Sequence, residues 1–277
     1  MLRFLLDRKL RALVVNLENS IKWFSKSERS LEQILKTEGT RQTDVVITHK
    51  TASDYDFTIL QHIFEGIQNR NINELAIYLP DVYFENSKNL HRGIKHHINL
   101  NLTSLIIHSF NKSTAVQILG IRSANLVKVS FSFDFDDHDF YEQFYNSFAR
   151  FLTYHSAMLQ TIFLKCFCRI PFESTALKTK FDNMFICNLK SVKFILQNLQ
   201  FSSLEQLCIK IIQSHLLTNV ELSHSLLVSM INQIICVSAR NIVIVLPKKI
   251  IGVSFFVKVL EICKMYESLN FAPAEIE

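Results

Sequence analysis

The sequence predicts an α/β solenoid of about nine repeats, with parallel strands along a concave side and helices along a convex side. Three observations carry this. A short apolar pattern, L-x-x-L-x-L, recurs through most of the chain, and helix-period patterns lie between its copies. In addition, 277 residues, 48% of them hydrophobic, exceed the usual single core, yet 5 Gly and 4 Pro leave no Gly/Pro/Ser-rich linker at which to divide it.

Taken in chain order, residues 1–41 are expected to form an N-terminal helical cap, and residues 42–277 the repeats. An open array of repeats exposes an apolar layer at each end and needs it covered. Leu5, Leu6, Leu10, Leu13 and Leu17, then Ile21, Trp23, Leu31 and Leu35, supply apolar positions for helices over 2–36. Arg3, Arg8, Lys9 and Arg11 among these leucines also fit a mitochondrial transit peptide, against which stand Asp7, Glu18 and Glu28. A membrane-surface or partner helix is the third reading.

The repeat pattern appears at Ile72/Leu75/Ile77, Leu102/Leu105/Ile107, Leu126/Val129/Phe131, Leu159/Ile162/Leu164, Leu189/Val192/Phe194 and Leu217/Val220/Leu222. Weaker copies begin at Gln42 (Val45, Ile47), Ala239 (Ile242, Ile244) and Tyr266 (Leu269, Phe271), so the mean spacing is about 28 residues. Two apolar residues at period 2, with a third three positions earlier, suit a short strand buried on one face. Between the copies, Leu60/Ile63/Phe64/Ile67, Leu204/Leu207/Cys208/Ile211 and Phe256/Val259/Leu260/Cys263 follow i, i+3, i+4, i+7. Phe140, Phe144, Phe148 and Leu152 mark a further helix. One repeat is therefore strand, turn, helix, turn, and right-handed crossovers would return each strand parallel to the last.

This pattern resembles the leucine-rich-repeat family, and its long repeat resembles the ribonuclease-inhibitor-like class over residues 42–277. The resemblance implies a sheet whose concave face binds other proteins, as inhibitors, GTPase-activating proteins and ubiquitin-ligase substrate receptors do. The family's Asn or Cys eight residues after the first Leu is absent: those positions hold Pro80, Phe110, Asp134, Phe167, Gln197, Ser225 and Pro247. Irregular turns are expected in consequence.

Five widely separated glycines exclude a P-loop or a dinucleotide fingerprint, and neither G-x-S-x-G nor H-E-x-x-H occurs. No cofactor is called for. The acidic group Asp134, Asp136, Asp137, His138 and Asp139 reads as a loop that charges the first turn of the next helix. His91, His96 and His97 read as solvated. The six cysteines lack zinc-ligand spacing and read as reduced core residues, with Cys208, Cys236 and Cys263 expected at matching late positions of successive helices. No apolar run reaches membrane-spanning length, and the net charge of +5 is dispersed. These features point to a cytoplasmic binding protein rather than an enzyme, with the mitochondrion as the alternative compartment.

If positions zero, three and five of each repeat point inward, positions one, two, four and six point out. The expected partner-binding stripe is then Tyr78, Ile106, His108, Lys128, Phe163, Lys165, Lys190, Lys193 and Arg240, with Asp44 and Glu74 at its acidic start. Phe163 beside Lys165 and Lys193 has the composition of an interface anchor for an acidic protein surface. Binding of RNA or a ribosome through the basic part is the alternative. The C-terminal edge, at Leu269 and Phe271, is expected to be covered by another subunit or partner.

Overall fold

The computed structural model describes residues 12–16, 43–48, 71–79, 98–109, 119–135, 138–168, 186–199, 202–233, 236–246, 253–265 and 267–273. The chain is α/β, and its described strands all pair in parallel. It divides into two compact units, residues 1–133 with 146–158, and residues 134–145 with 159–277.

The first unit carries a ladder in the order β1 (Ala12–Asn16), β2 (Thr43–Thr48), β3 (Asn71–Leu79), β5 (Asn101–Ser109) and β7 (Lys128–Phe135). A two-residue ladder joins β4 (Ile98–Asn99) to β6 (Ile121–Arg122). The register follows the repeat: Val45 lies opposite Leu75, Leu75 opposite Leu105 and Leu105 opposite Val129, with Ile47, Ile77, Ile107 and Phe131 in the next row. The β3, β5 and β7 members of both rows are sealed from solvent. The ring of Phe131 packs edge-on against Phe148 and Phe151 of α1 (His138–Tyr154), with centroids 5.8 and 5.4 Å away.

The second unit runs β8 (Thr161–Cys168), β9 (Ser191–Gln197), β10 (Leu217–Ser223) and β11 (Val237–Leu246). Opposite β10, β11 pairs in turn with β12 (Cys263–Met265) and β13 (Ser268–Pro273). Ile162, Val192, Val220, Ile242 and Leu269 form one row, and Leu164, Phe194, Leu222, Ile244 and Phe271 the next. Helices α2 (Ser203–Ser214), α3 (His224–Asn232) and α4 (Val253–Ile262) follow β9, β10 and β11. Ser202 caps α2 by accepting the Glu205 N–H at 3.1 Å, as the S-x-x-E spacing requires. The buried Glu205 carboxylate in turn accepts the Ser229 hydroxyl of α3 at 2.8 Å, which ties the two helices together.

Several expectations change. Ala12–Asn16 form a strand where a capping helix was expected, because Leu10, Leu13 and Val15 are another copy of the repeat, 32 residues before Gln42, with Leu13 opposite Val45 and Val15 opposite Ile47. The rest of 1–41 lies outside the described residues, as do Leu60–Ile67 and the histidines at 91, 96 and 97. In the last repeat only Val259 of the expected helical stripe is buried: Leu260 is half-exposed, and Cys263 opens β12. Of the three cysteines expected in helices only Cys208 is in one, while Cys187 is exposed and Cys236 half-buried.

The turns are satisfied by other residues than the family's asparagine. Asn198, one position later than expected, adopts φ 57° and donates from Nδ2 to the Cys168 carbonyl at 3.0 Å; asparagine tolerates that left-handed backbone. Ser225, at the expected position, donates to the Leu196 carbonyl at 2.7 Å. Ahead of the strands, histidines serve. In the first unit His155, just past α1, places Nδ1 2.9 Å from the Phe151 carbonyl and accepts the Ser123 N–H on Nε2 at 3.1 Å. In the second unit His215, just past α2, does the same with the Ile211 carbonyl (2.6 Å) and the Ile186 N–H (3.1 Å).

Candidate partner-binding face

Because each ladder keeps repeat positions in register, the outward side chains also line up in rows across the strands. In the first unit Thr48, Tyr78, His108 and Ser132 form one row, and Val46, Ala76, Ile106 and Ser130 the row beside it. Tyr78 is 39% exposed, and its ring lies 5.2 Å from that of half-buried His108, tilted 31°. Ala76 and Ser130 flank Ile106, so the neighbouring row is low and the two rings border a shallow apolar strip. In the third row Ser104 donates to the Glu74 carboxylate at 3.1 Å and lies opposite exposed Lys128. The structure thus brings Tyr78, Ile106 and His108 together, with Lys128 on the same ladder.

In the second unit the outward row Phe163, Lys193, Glu221, Val243 and Asn270 crosses five strands. The Lys193 ammonium sits 5.0 Å from the Phe163 ring centroid and 2.8 Å from a Glu221 carboxylate oxygen. The expected pairing of Phe163 with Lys193 is therefore present, but that cation is shared with an anion. Arg240 faces Glu267 at 3.9 Å, both well exposed. It is three strands, about 14 Å, from Phe163 and belongs to a different part of the face. Lys165 is half-buried opposite Ile195, which is itself buried despite its outward position; Lys190 is exposed. Between these charges runs a ladder of amides and a hydroxyl: Asn241 donates to Asn219 at 3.0 Å, and Ser268 donates to Asn241 at 2.8 Å.

The expected basic stripe is thus corrected to a mixed one. Glu221 and Glu267 occupy outward positions of their own repeats, four and one residues after the starts at 217 and 266, and fall beside Lys193 and Arg240 only once the strands are stacked. Burial holds the His155 imidazole down to about 4, with Arg122 adding to the effect and the Phe151 carbonyl opposing it. Burial also lowers His224 and raises the Cys208 thiol, the latter with help from Glu205. Sequence reasoning overlooked His155 and His215, whose only signal is a histidine a few residues before a repeat start.

Among the described residues no group of three His, Cys, Asp or Glu is placed to hold a metal ion, and no helix is long and apolar enough to cross a membrane. No family model matches the chain, and no curated protein or solved structure shows significant similarity to it.

Proposed function

We propose that this chain is a degenerate leucine-rich-repeat solenoid acting as a protein-binding scaffold, with its contacts on the outward strand face. The observation that carries this reading is the alternation itself: from the repeat at 72 to that at 239, the zero, three and five positions are buried, and rings at outward positions are offered in register. Tyr78 with His108 and Ile106 in the first unit, and Phe163 under Lys193 in the second, are the anchors. Aromatic side chains on a rigid sheet bury much area at small entropic cost, which suits them to be hot spots. The pairing of Lys193 and Arg240 with glutamates favours a protein partner of mixed charge over a polyphosphate, which needs uncompensated cations.

The test is affinity capture from the source cell with the wild type, Tyr78→Ala, Phe163→Ala and, as control, Tyr154→Ala, whose exposed ring belongs to α1. A partner of the face is kept by the control and lost from the first two variants, each expected to weaken it by about 2 kcal/mol, roughly thirtyfold. Capture that survives both ring deletions would end the assignment, and capture abolished by nuclease treatment would replace it with nucleic-acid binding.

A further inference from the structure

The last strand–helix layer of the second unit departs from the others in burial. Leu269 and Phe271 of β13 continue the two inward rows of Ile242 and Ile244, whose members from β8 to β11 are closed to solvent. Phe271 is nonetheless 40% exposed. In α4 Val259 is fully buried, while Val257 and Leu260 are 50% and 52% exposed. The side of β13 away from β11 has no strand partner among the described residues. An open strand edge beside apolar side chains is a template for further pairing.

We propose that this end is closed by the same end of a second copy of the chain, with β13 antiparallel to β13 and α4 antiparallel to α4 about a two-fold axis. The charges of α4 argue for a copy rather than a foreign surface. Lys258 and Glu261 are both exposed and stand on either side of Leu260 in sequence. When two such helices run antiparallel, Lys258 of each approaches Glu261 of the other, so the surface is complementary to itself. A two-fold contact of this kind also closes on itself, covering the apolar edge without leaving a new one for a third chain. The inference is independent of the outward-face reading, since it uses none of those side chains.

Sedimentation equilibrium and light scattering on the full chain test it. The wild type is expected at twice 32.2 kDa through the micromolar range, and Leu260→Asp at 32.2 kDa with an unchanged circular dichroism spectrum. Lys258→Glu and Glu261→Lys should each weaken association by about tenfold, and the two together should restore it. The charge swap decides the matter if Leu260→Asp fails to fold. A wild type that stays at 32.2 kDa, a mass that rises without limit, or a dimer indifferent to both the Leu260 and the charge variants would overturn the proposal.

Discussion

Acid is expected to loosen the first unit through His155, and the size of the effect follows from the two bonds its ring makes. Nδ1 lies against the Phe151 carbonyl, so the proton of the neutral ring belongs there, and Nε2 must stay bare to accept the Ser123 N–H. Protonating Nε2 breaks the second bond and places a charge in a buried site beside Arg122. The folded ring therefore titrates near 4, while the unfolded chain takes up its proton near the model value of 6.5. Below 6.5 the unfolded state binds more protons, so stability rises with pH over this interval. His155 contributes fully above 6.5, loses its contribution as the pH falls, and adds nothing below about 4. A gap of about two and a half pH units corresponds to about 3 kcal/mol, with a slope that approaches about 1.4 kcal/mol per unit. The assay is urea unfolding across that range for the wild type and His155→Gln, whose amide can still donate and accept but does not titrate. His224, also lowered by burial, is common to both proteins and cancels in the difference. The variant should start less stable by about 1 to 2 kcal/mol at neutral pH, and the gap should close as acid is added. Parallel loss of stability in the two proteins, or an NMR titration of His155 near 6.5, would refute the argument.

Two further outcomes are expected from the strands and turns. Leu164→Ala should cost about 2 to 5 kcal/mol because its side chain is fully buried, whereas Phe163→Ala should leave the melting temperature nearly unchanged; thermal melts in which the order is reversed would place the register of β8 off by one residue. Asn198→Ala should cost about 1 to 3 kcal/mol, since it loses the bond to the Cys168 carbonyl and strains a backbone at φ 57°, and Asn198→Gly should cost less by relieving the strain, as urea unfolding of the pair would show.

The strands were legible because their signal is local and the ladder enforces it. A parallel strand buried on one face has to repeat its apolar pair at period 2, and stacking requires the same register in each neighbour, so Leu75, Leu105 and Val129 align in space as they do in the pattern. The N-terminal copy escaped because Leu10 and Leu13, with Leu6 and Leu17 around them, fit a helical spacing as well as a strand, and only its distance to Gln42 favours the strand. The end helix misled in the opposite sense. Val259 and Leu260 share one helical stripe in sequence, but a terminal layer has a neighbour on only one side, so Val259 is buried and Leu260 is not. Turn chemistry was the least legible part: Asn198, Ser225, His155 and His215 each close a backbone group from a different position in the repeat, and no fixed spacing announces them.

Charge was misread for a related reason, and it bears on what the face can recognise. Lysines gathered from successive repeats suggested a positive field, yet residues about 28 apart in the chain become neighbours about 4.8 Å apart once their strands pair. The sign of a ladder is thus set across strands rather than along them. Read that way, Phe163, Lys193, Glu221, Val243 and Asn270 form a row with no net charge, in which Lys193 serves two neighbours at once. Below it the Asn219–Asn241–Ser268 ladder offers donors and acceptors already committed to one another. A partner on the proposed face therefore meets fixed rings and oriented amides more than a diffuse field. That places discrimination in shape and hydrogen-bond geometry, where removing one ring, Phe163 or Tyr78, costs more than removing one cation from a pair that remains half-solvated.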